Sequence, residues 1–287
     1  MKNWNFCIGD VRISISTSEK EKIELNIPRF QCADDTEFQD ADVEITLHSV
    51  EDVSIPEGQQ CSSPKEHPVW VEGTKVNRLS WDFFRPKPHM RIDYDLLTPN
   101  AFECYVRSEY MPWAISEKYL WAGVALQYIL IHNQHLIFHA SYIKVQDKGI
   151  IFIAPSGTGK STQAALWEKY RGAEIINGDK ACIHVKGEPT VHGIPFDGTS
   201  GICKDISCPL SGIVFLEQAK ENTVDRLQSA LAIQALFSNV FVDRSIPYEW
   251  NKALELIMKL VDCVPIYHLK CTADERAVEA LEKVLEA

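Results

Sequence analysis

Several things are missing from this chain, and each absence removes a class of function. No stretch approaches the roughly 20 uninterrupted apolar residues that a membrane helix requires. The opening MKNWNFCIGDVRIS has no apolar core of the kind a secretory signal carries. The nine cysteines (Cys7, Cys32, Cys61, Cys104, Cys182, Cys203, Cys208, Cys263 and Cys271) are odd in number and never spaced as C-x-x-C, a usage that suits reduced thiols rather than a disulfide framework. These three absences place the chain in the cytoplasm with no membrane as partner. Runs of Lys and Arg are also missing, and the net charge of -11, from 40 acidic and 29 basic residues, sets up a field that repels nucleic-acid backbones. Nucleic acid is therefore excluded as a partner. There is no internal repeat and no low-complexity tract.

What remains is an ordinary globular composition, 45% hydrophobic and 24% charged over 287 residues, enough for one large domain or two modest ones. From Phe6 to about Arg107 the chain offers short alternating or β-branched runs: Val11 to Ser16, Lys22 to Ile27, Val43 to Val50, Val69 to Gly73, Arg78 to Phe84, Met90 to Asp95 and Phe102 to Arg107. They predict an antiparallel β region, with a polar, proline-rich loop over Ile55 to Pro68. The Pro112 break then divides a β-rich domain, 1–112, from a second domain, 113–287. Ser116 to Asn133 reads as a buried helix with a serine N-cap. His135 to Val145 and Gly149 to Ala154, joined by a short turn, read as a hairpin. Short strands are expected at Glu174 to Asn177, Ala181 to Gly187, Thr190 to Pro195 and Gly212 to Gln218. Helices follow over Val224 to Phe237 and Pro247 to Asp262, then a strand over Val264 to Cys271 and a helix over Asp274 to Leu285. The fold class is α/β with a mixed sheet.

One segment carries most of the chemistry. In GIIFIAPSGTGKSTQAALWEKY, Gly149 to Tyr170, a buried strand leads through a glycine-rich turn into a helix whose N-terminal amides point at whatever the turn holds. An anion belongs there. Gly157 and Gly159 let amides crowd around phosphate oxygens, Lys160 reaches the terminal phosphates, and the Ser161 hydroxyl can ligate Mg2+. Ser156, Gly157, Thr158, Gly159, Lys160, Ser161 and Thr162 thus form a phosphate loop (P-loop) for a nucleoside triphosphate, with ATP and Mg2+ as the implied cofactors. Ala154 stands where the usual pattern has glycine. Asp179, at the end of the first strand after the loop helix, can hold the same metal or orient an attacking hydroxyl. His139, within the hairpin, can polarise a phosphoryl oxygen or shuttle a proton; on spacing alone it reads more often as a core histidine.

His139, the Ser156 to Thr162 loop and Asp179 together resemble the catalytic core of the HPr kinase/phosphorylase family and its kinase-like relatives, whose fold is shared with phosphoenolpyruvate carboxykinase. HGIPFDGTSG, His192 to Gly201, resembles the glycine-rich segment that follows the aspartates in that family. The resemblance implies that Asp179, His139 and Lys160 are catalytic and that Ser161 and Asp179 hold the metal. It implies a kinase that passes the γ-phosphoryl of ATP to a hydroxyl, and it is closest to divergent kinases of peptide-modifying gene clusters, some of which phosphorylate serine of a precursor peptide. Relatives assemble into oligomers, so a homo-oligomer is consistent with the resemblance. The chain departs at one point: where the family often has two consecutive aspartates it has Gly178 and Asp179, so Asp179 does both jobs or a remote acid such as Asp197 supplies the second. A small-molecule kinase would share every one of these residues, and a nucleotide-sensing module without turnover is the alternative from another class. Carboxykinase chemistry lacks a second basic cluster for a dicarboxylate.

Other candidates weigh less. Cys203, Cys208, His184 and His192 follow no zinc-site spacing. Lys204, Arg226 and Arg244 read as surface charges that could instead neutralise a transferring phosphate. Trp70, Trp81, Phe83 and Phe84 read as core packing or, failing that, as a peptide-docking surface on the β domain.

Overall fold

Alternation between buried and half-buried positions along Val11–Thr17 is the local rule from which the first sheet is built. The computed structural model describes residues 3–17, 25, 29–32, 40–58, 60–61, 68–81 and 87–285. It is a mixed α/β structure with two mixed sheets, the first in a mostly β N-terminal region. Two compact units are formed, one by Met1–His132 with Asp243–Glu249, the other by Asn133–Val242 with Trp250–Ala287, so the first unit takes in the helices that follow residue 112.

In the first unit seven strands, β1 (Asn3–Ile8), β2 (Val11–Thr17), β3 (Val43–Val50), β4 (Val69–Glu72), β5 (Lys75–Trp81), β6 (Pro88–Asp95) and β7 (Ala101–Arg107), lie in the order β1-β2-β3-β7-β6-β5-β4. The expected antiparallel arrangement is corrected at two joins, since β2 pairs with β3 and β3 with β7 in parallel. Strand direction at those joins is decided by long connections, and a local alternation pattern carries no information about it. The strand expected over 22–27 lies outside the described residues apart from buried Leu25, as do Phe83 and Phe84. Trp70 is buried with Val53 and Leu79, and Trp81 packs against them, which settles those two tryptophans as core. A 3-10 turn at Ser108–Tyr110 leads into three short helices, α1 (Met111–Ala114), α2 (Glu117–Gly123) and α3 (Leu126–His132). The single helix expected over 116–133 is therefore two, broken where Ala125 adopts φ 56. Trp121 is fully buried, its ring meeting Phe6 edge to face at 5.0 Å.

The first unit also encloses a charge cluster. Arg78 Nη1 lies 3.0 Å from Asp243 and Nη2 3.7 Å from Glu249, while its guanidinium stacks 3.5 Å above the Tyr128 ring. The Tyr94 hydroxyl accepts from Arg78 Nε at 3.2 Å and donates to Glu249 at 2.5 Å. Burial pushes the Glu249 carboxyl up to about 7 from 4.5, against the pull of Arg78 and the Tyr94 hydrogen bond. Between those two values the folded chain holds a proton that the unfolded chain has released, so this group withdraws stability as pH rises through that window. Urea midpoints measured from pH 5 to 8 are expected to fall more steeply for the wild-type chain than for Glu249→Gln; parallel curves would contradict this account of the cluster.

The second unit holds β8 (His135–Val145), β9 (Lys148–Ile153), α4 (Lys160–Arg171), β10 (Glu174–Asn177), β11 (Lys180–His184), β12 (Thr190–His192), β13 (Ser207–Gln218), β14 (Thr223–Arg226), α5 (Ser229–Asn239), α6 (Pro247–Cys263, whose first residues fall in the first unit), β15 (Ile266–Cys271) and α7 (Glu275–Leu285). β8 and β9 form the expected antiparallel hairpin, and β9, β13 and β15 run parallel to one another. The bent strand β8 pairs with β11 through its first half and with β9 and β10 through its second. Helices α4 and α7 cover the parallel strands, burying Phe152, Trp167, Val214, Leu269, Val278 and Leu281 together. The helix expected over Val224 to Phe237 is corrected at its start: Thr223–Arg226 is an edge strand paired antiparallel with β15, and the helix begins only at Ser229. Sheet pairing overrides weak helical periodicity there.

Candidate functional site

The glycine-rich turn lies where β9 ends and α4 begins, with Gly157 at φ 78 and Gly159 at φ 123, conformations that side-chain-bearing residues rarely adopt. Gly159 is the N-cap of α4 and offers no side chain to its first turn. Ser156, Gly157, Ser161 and Thr162 are exposed, whereas Lys160 is 8% exposed and folds back to donate from Nζ to Ala154 O at 2.8 Å. Within the turn the Thr158 amide donates to Pro155 O at 3.2 Å. A residue that sequence inspection does not single out restrains it from outside: Gln218, at the end of β13, donates to Thr158 O at 3.1 Å and Gly157 O at 3.4 Å. The parallel pairing of β13 with β9 puts its C-terminal end beside the turn.

Asp179 and His139 come together. The register of β8 against β11 sets His139 opposite Lys180, and His139 Nδ1 lies 3.3 Å from Asp179 Oδ1. Asp179 Oδ2 accepts from Lys180 Nζ at 2.9 Å, and Lys180 Nζ also lies 4.9 Å from the Phe196 ring and 5.3 Å from the Phe241 ring. Burial holds the His139 imidazole below its ordinary value, helped by the charges of Lys160 and Lys180 and opposed by Asp179, so it is neutral near pH 7. Burial likewise lowers Lys160, with Asp179 opposing. His139, Lys160, Asp179 and Lys180 are thus one electrostatic group.

A buried amide fixes that group. Asn177, fully buried, accepts from the amides of Asp179 and Lys180 at 2.9 Å each, and donates to Ile194 O at 2.9 Å and Phe196 O at 3.1 Å. All four of its hydrogen-bonding capacities are used. It ties the turn bearing Asp179 to the segment bearing Asp197, which packs closely enough that a methyl on Gly198 would come within 2.5 Å of Asp179 Cγ. Across from it, a methyl on Gly178 would fall 2.3 Å from Ser200 Oγ and 2.7 Å from Ser200 Cβ. Ser200 therefore occupies the space that an acidic side chain at position 178 would need. Gly178→Asp is expected to lose about 1–3 kcal/mol through overpacking, and Gly178→Asp with Ser200→Gly to regain most of it, as read from urea midpoints; equal stability of the two variants would contradict the steric account.

The remaining candidates separate from this group. Lys204 pairs with Glu174 at 2.8 Å, Arg226 is exposed on β14, and Arg244 belongs to the first unit. The imagined set of Cys203, Cys208, His184 and His192 is not formed: Cys203 Sγ donates to Ile194 O, and Cys208 Sγ contacts the Tyr142 hydroxyl. No disulfide joins any of the nine cysteines. Among the described residues no helix is long and apolar enough to cross a membrane.

The family model described as SynChlorMet cassette protein ScmC matches residues 111–286. No curated protein matches the chain.

Proposed function

The chain belongs to the ScmC family, and on the geometry of its site we propose that it is an ATP-dependent, Mg2+-assisted phosphotransferase of the HPr kinase-like kind, with a P-loop in a phosphoenolpyruvate carboxykinase-type fold, acting on a hydroxyl and most directly on serine of a peptide or protein. The observation that carries this reading is the contact of Asp179 with His139, with Lys160 in electrostatic reach of both, beside an uncapped glycine-rich helix start.

The donor set fits the groups the reading requires. A serine hydroxyl at Ser161 and a carboxylate at Asp179 are the hard oxygen ligands that Mg2+ takes alongside phosphate oxygens. When bound, the cation neutralises charge on the phosphates. The amides of Gly157, Gly159 and the first turn of α4 would face the phosphates. Lys160 would exchange its bond to Ala154 O for one to a phosphate oxygen, a change of partner that costs the fold one buried hydrogen bond. The acceptor hydroxyl attacks the γ-phosphorus in line while the bond to the β,γ-bridging oxygen breaks, and ADP leaves with that electron pair. The hydroxyl proton passes to the carboxylate of Asp179, whose orientation His139 and Lys180 hold; neutral His139 is the second atom able to receive it. Lys180, with Phe196 and Phe241 around it, would face the acceptor side chain.

Incubating the protein with γ-labelled ATP, Mg2+ and serine-containing peptides or small alcohols tests the proposal. Label should move to one acceptor class, and Asp179→Asn should lower transfer by at least about 10²-fold. Transfer unchanged in Asp179→Asn overturns it. Nucleotide binding with no transfer to any acceptor, water included, favours the sensing module, a reading supported by Lys160 and Asp179 both being engaged by protein partners.

A further inference from the structure

On the face of the sheet that carries His139 and Lys180, a second cluster lies four residue pairs farther along the same strands. His135 stands directly opposite His184 in the β8/β11 pairing, and His192 of β12 stands opposite Cys182, next but one to His184. Paired residues share a face, so three adjacent strands each deliver one imidazole to the same spot. One ring nitrogen of each of the three lies within 4.8 Å of the others. His135 and His192 are buried and His184 is half-buried.

We propose that His135, His184 and His192 form a site for Zn2+, separate from the phosphotransfer group. Three histidines with a water as fourth ligand is an established zinc set, with nitrogens about 2.0–2.1 Å from the metal. The outer hydrogen bonds are those of ligating histidines: His135 Nδ1 donates to Asn133 O at 2.6 Å, which fixes the tautomer with its lone pair on Nε2, and His192 Nδ1 is bonded to Ser207 Oγ at 2.6 Å. The neutral imidazole is the form that binds metal.

The rings of His135 and His184 now stack at 4.5 Å with planes 13° apart, and His192 is tilted 56° from His135 at 5.6 Å. In-plane lone pairs of two parallel rings cannot meet at one ion, so binding requires the His184 ring to turn. His184 is half-buried at the last residue of β11. An ion there would lock the register of β8, β11 and β12, the first two of which present His139 and Lys180.

The test uses the full chain stripped with a chelator, then titrated with Zn2+ against a chromophoric competitor and, separately, with Co2+ for its visible spectrum. One Zn2+ per chain is expected, with a Co2+ spectrum of tetrahedral intensity lacking the near-ultraviolet charge-transfer band of thiolate ligands. His184→Ala should weaken Zn2+ binding by at least about 100-fold, and Ser207→Ala, which leaves all three ligands in place, by about 10–100-fold. Absence of stoichiometric binding, a thiolate band, or affinity unchanged in both variants would each overturn the site. Should His184→Ala fail to fold, the wild-type stoichiometry and spectrum together with Ser207→Ala decide the matter alone.

Discussion

Lys160→Ala is expected to lower phosphoryl transfer by about 10²–10³-fold, the size of effect seen when one donor aimed at developing phosphoryl or oxyanion charge is removed. The fold should survive the change. Lys160 contributes a single hydrogen bond to Ala154 O, and α4 is held instead by Ala164 and Trp167 packing on Phe152, Val214 and Val278. A wild-type circular dichroism spectrum, with stability read from the urea midpoint lowered by no more than the cost of one orphaned carbonyl, about 1–3 kcal/mol, beside the lost activity, would separate a catalytic effect from a folding one. Because the first turn of α4 and the glycine amides remain, ATP should still bind, but more weakly. Full activity in Lys160→Ala would remove the lysine from the mechanism.

Asn177→Asp is expected to produce the largest loss of stability of any single change near the site. The substitution keeps the size and the one Oδ1 that accepts from the amides of both Asp179 and Lys180, yet it deletes both donors to Ile194 O and Phe196 O. Each orphaned carbonyl costs about 1–3 kcal/mol, and the new carboxylate is buried besides. A loss of about 3 kcal/mol or more at pH 7 follows, easing as pH falls and the carboxyl takes up the proton that restores one donor. A urea series at pH 7 and pH 5 reads both the size and the sign. Near-wild-type stability at both values would mean that Asn177 does not hold the Asp179 turn.

The parts of this architecture that sequence displays are those fixed by neighbours in the chain. The β8–β9 hairpin, the turn at 154–159 and α4 follow from alternation, from Gly157 and Gly159, and from a run of good helix formers, all within about 35 residues of one another. His139 and Asp179 were legible as candidates, but their 3.3 Å approach is a consequence of the β8/β11 register, which no local pattern states. Lys180 was hidden by adjacency: a lysine next to an aspartate reads as a solvated pair until the register turns it toward His139. Asn177 looks like an ordinary strand end, because two of its four partners, Ile194 O and Phe196 O, lie 17 and 19 residues along the chain. Gln218 was unreadable for a similar reason, its contact with the glycine turn depending on β13 running parallel to β9. The strand at Thr223–Arg226 was misjudged because an edge strand with mostly exposed positions has no alternation to show. Ser200 explains the glycine at 178 only once the two segments are packed together.

Amide hydrogen exchange across residues 156–162, with and without Mg2+ and ATP, asks most directly whether this turn cradles a triphosphate. Strong, Mg2+-dependent slowing at Gly157, Gly159, Lys160 and Ser161, weakened in Lys160→Ala, is the predicted result. Exchange at those amides that is unchanged by saturating Mg2+ and ATP would contradict the account at its root.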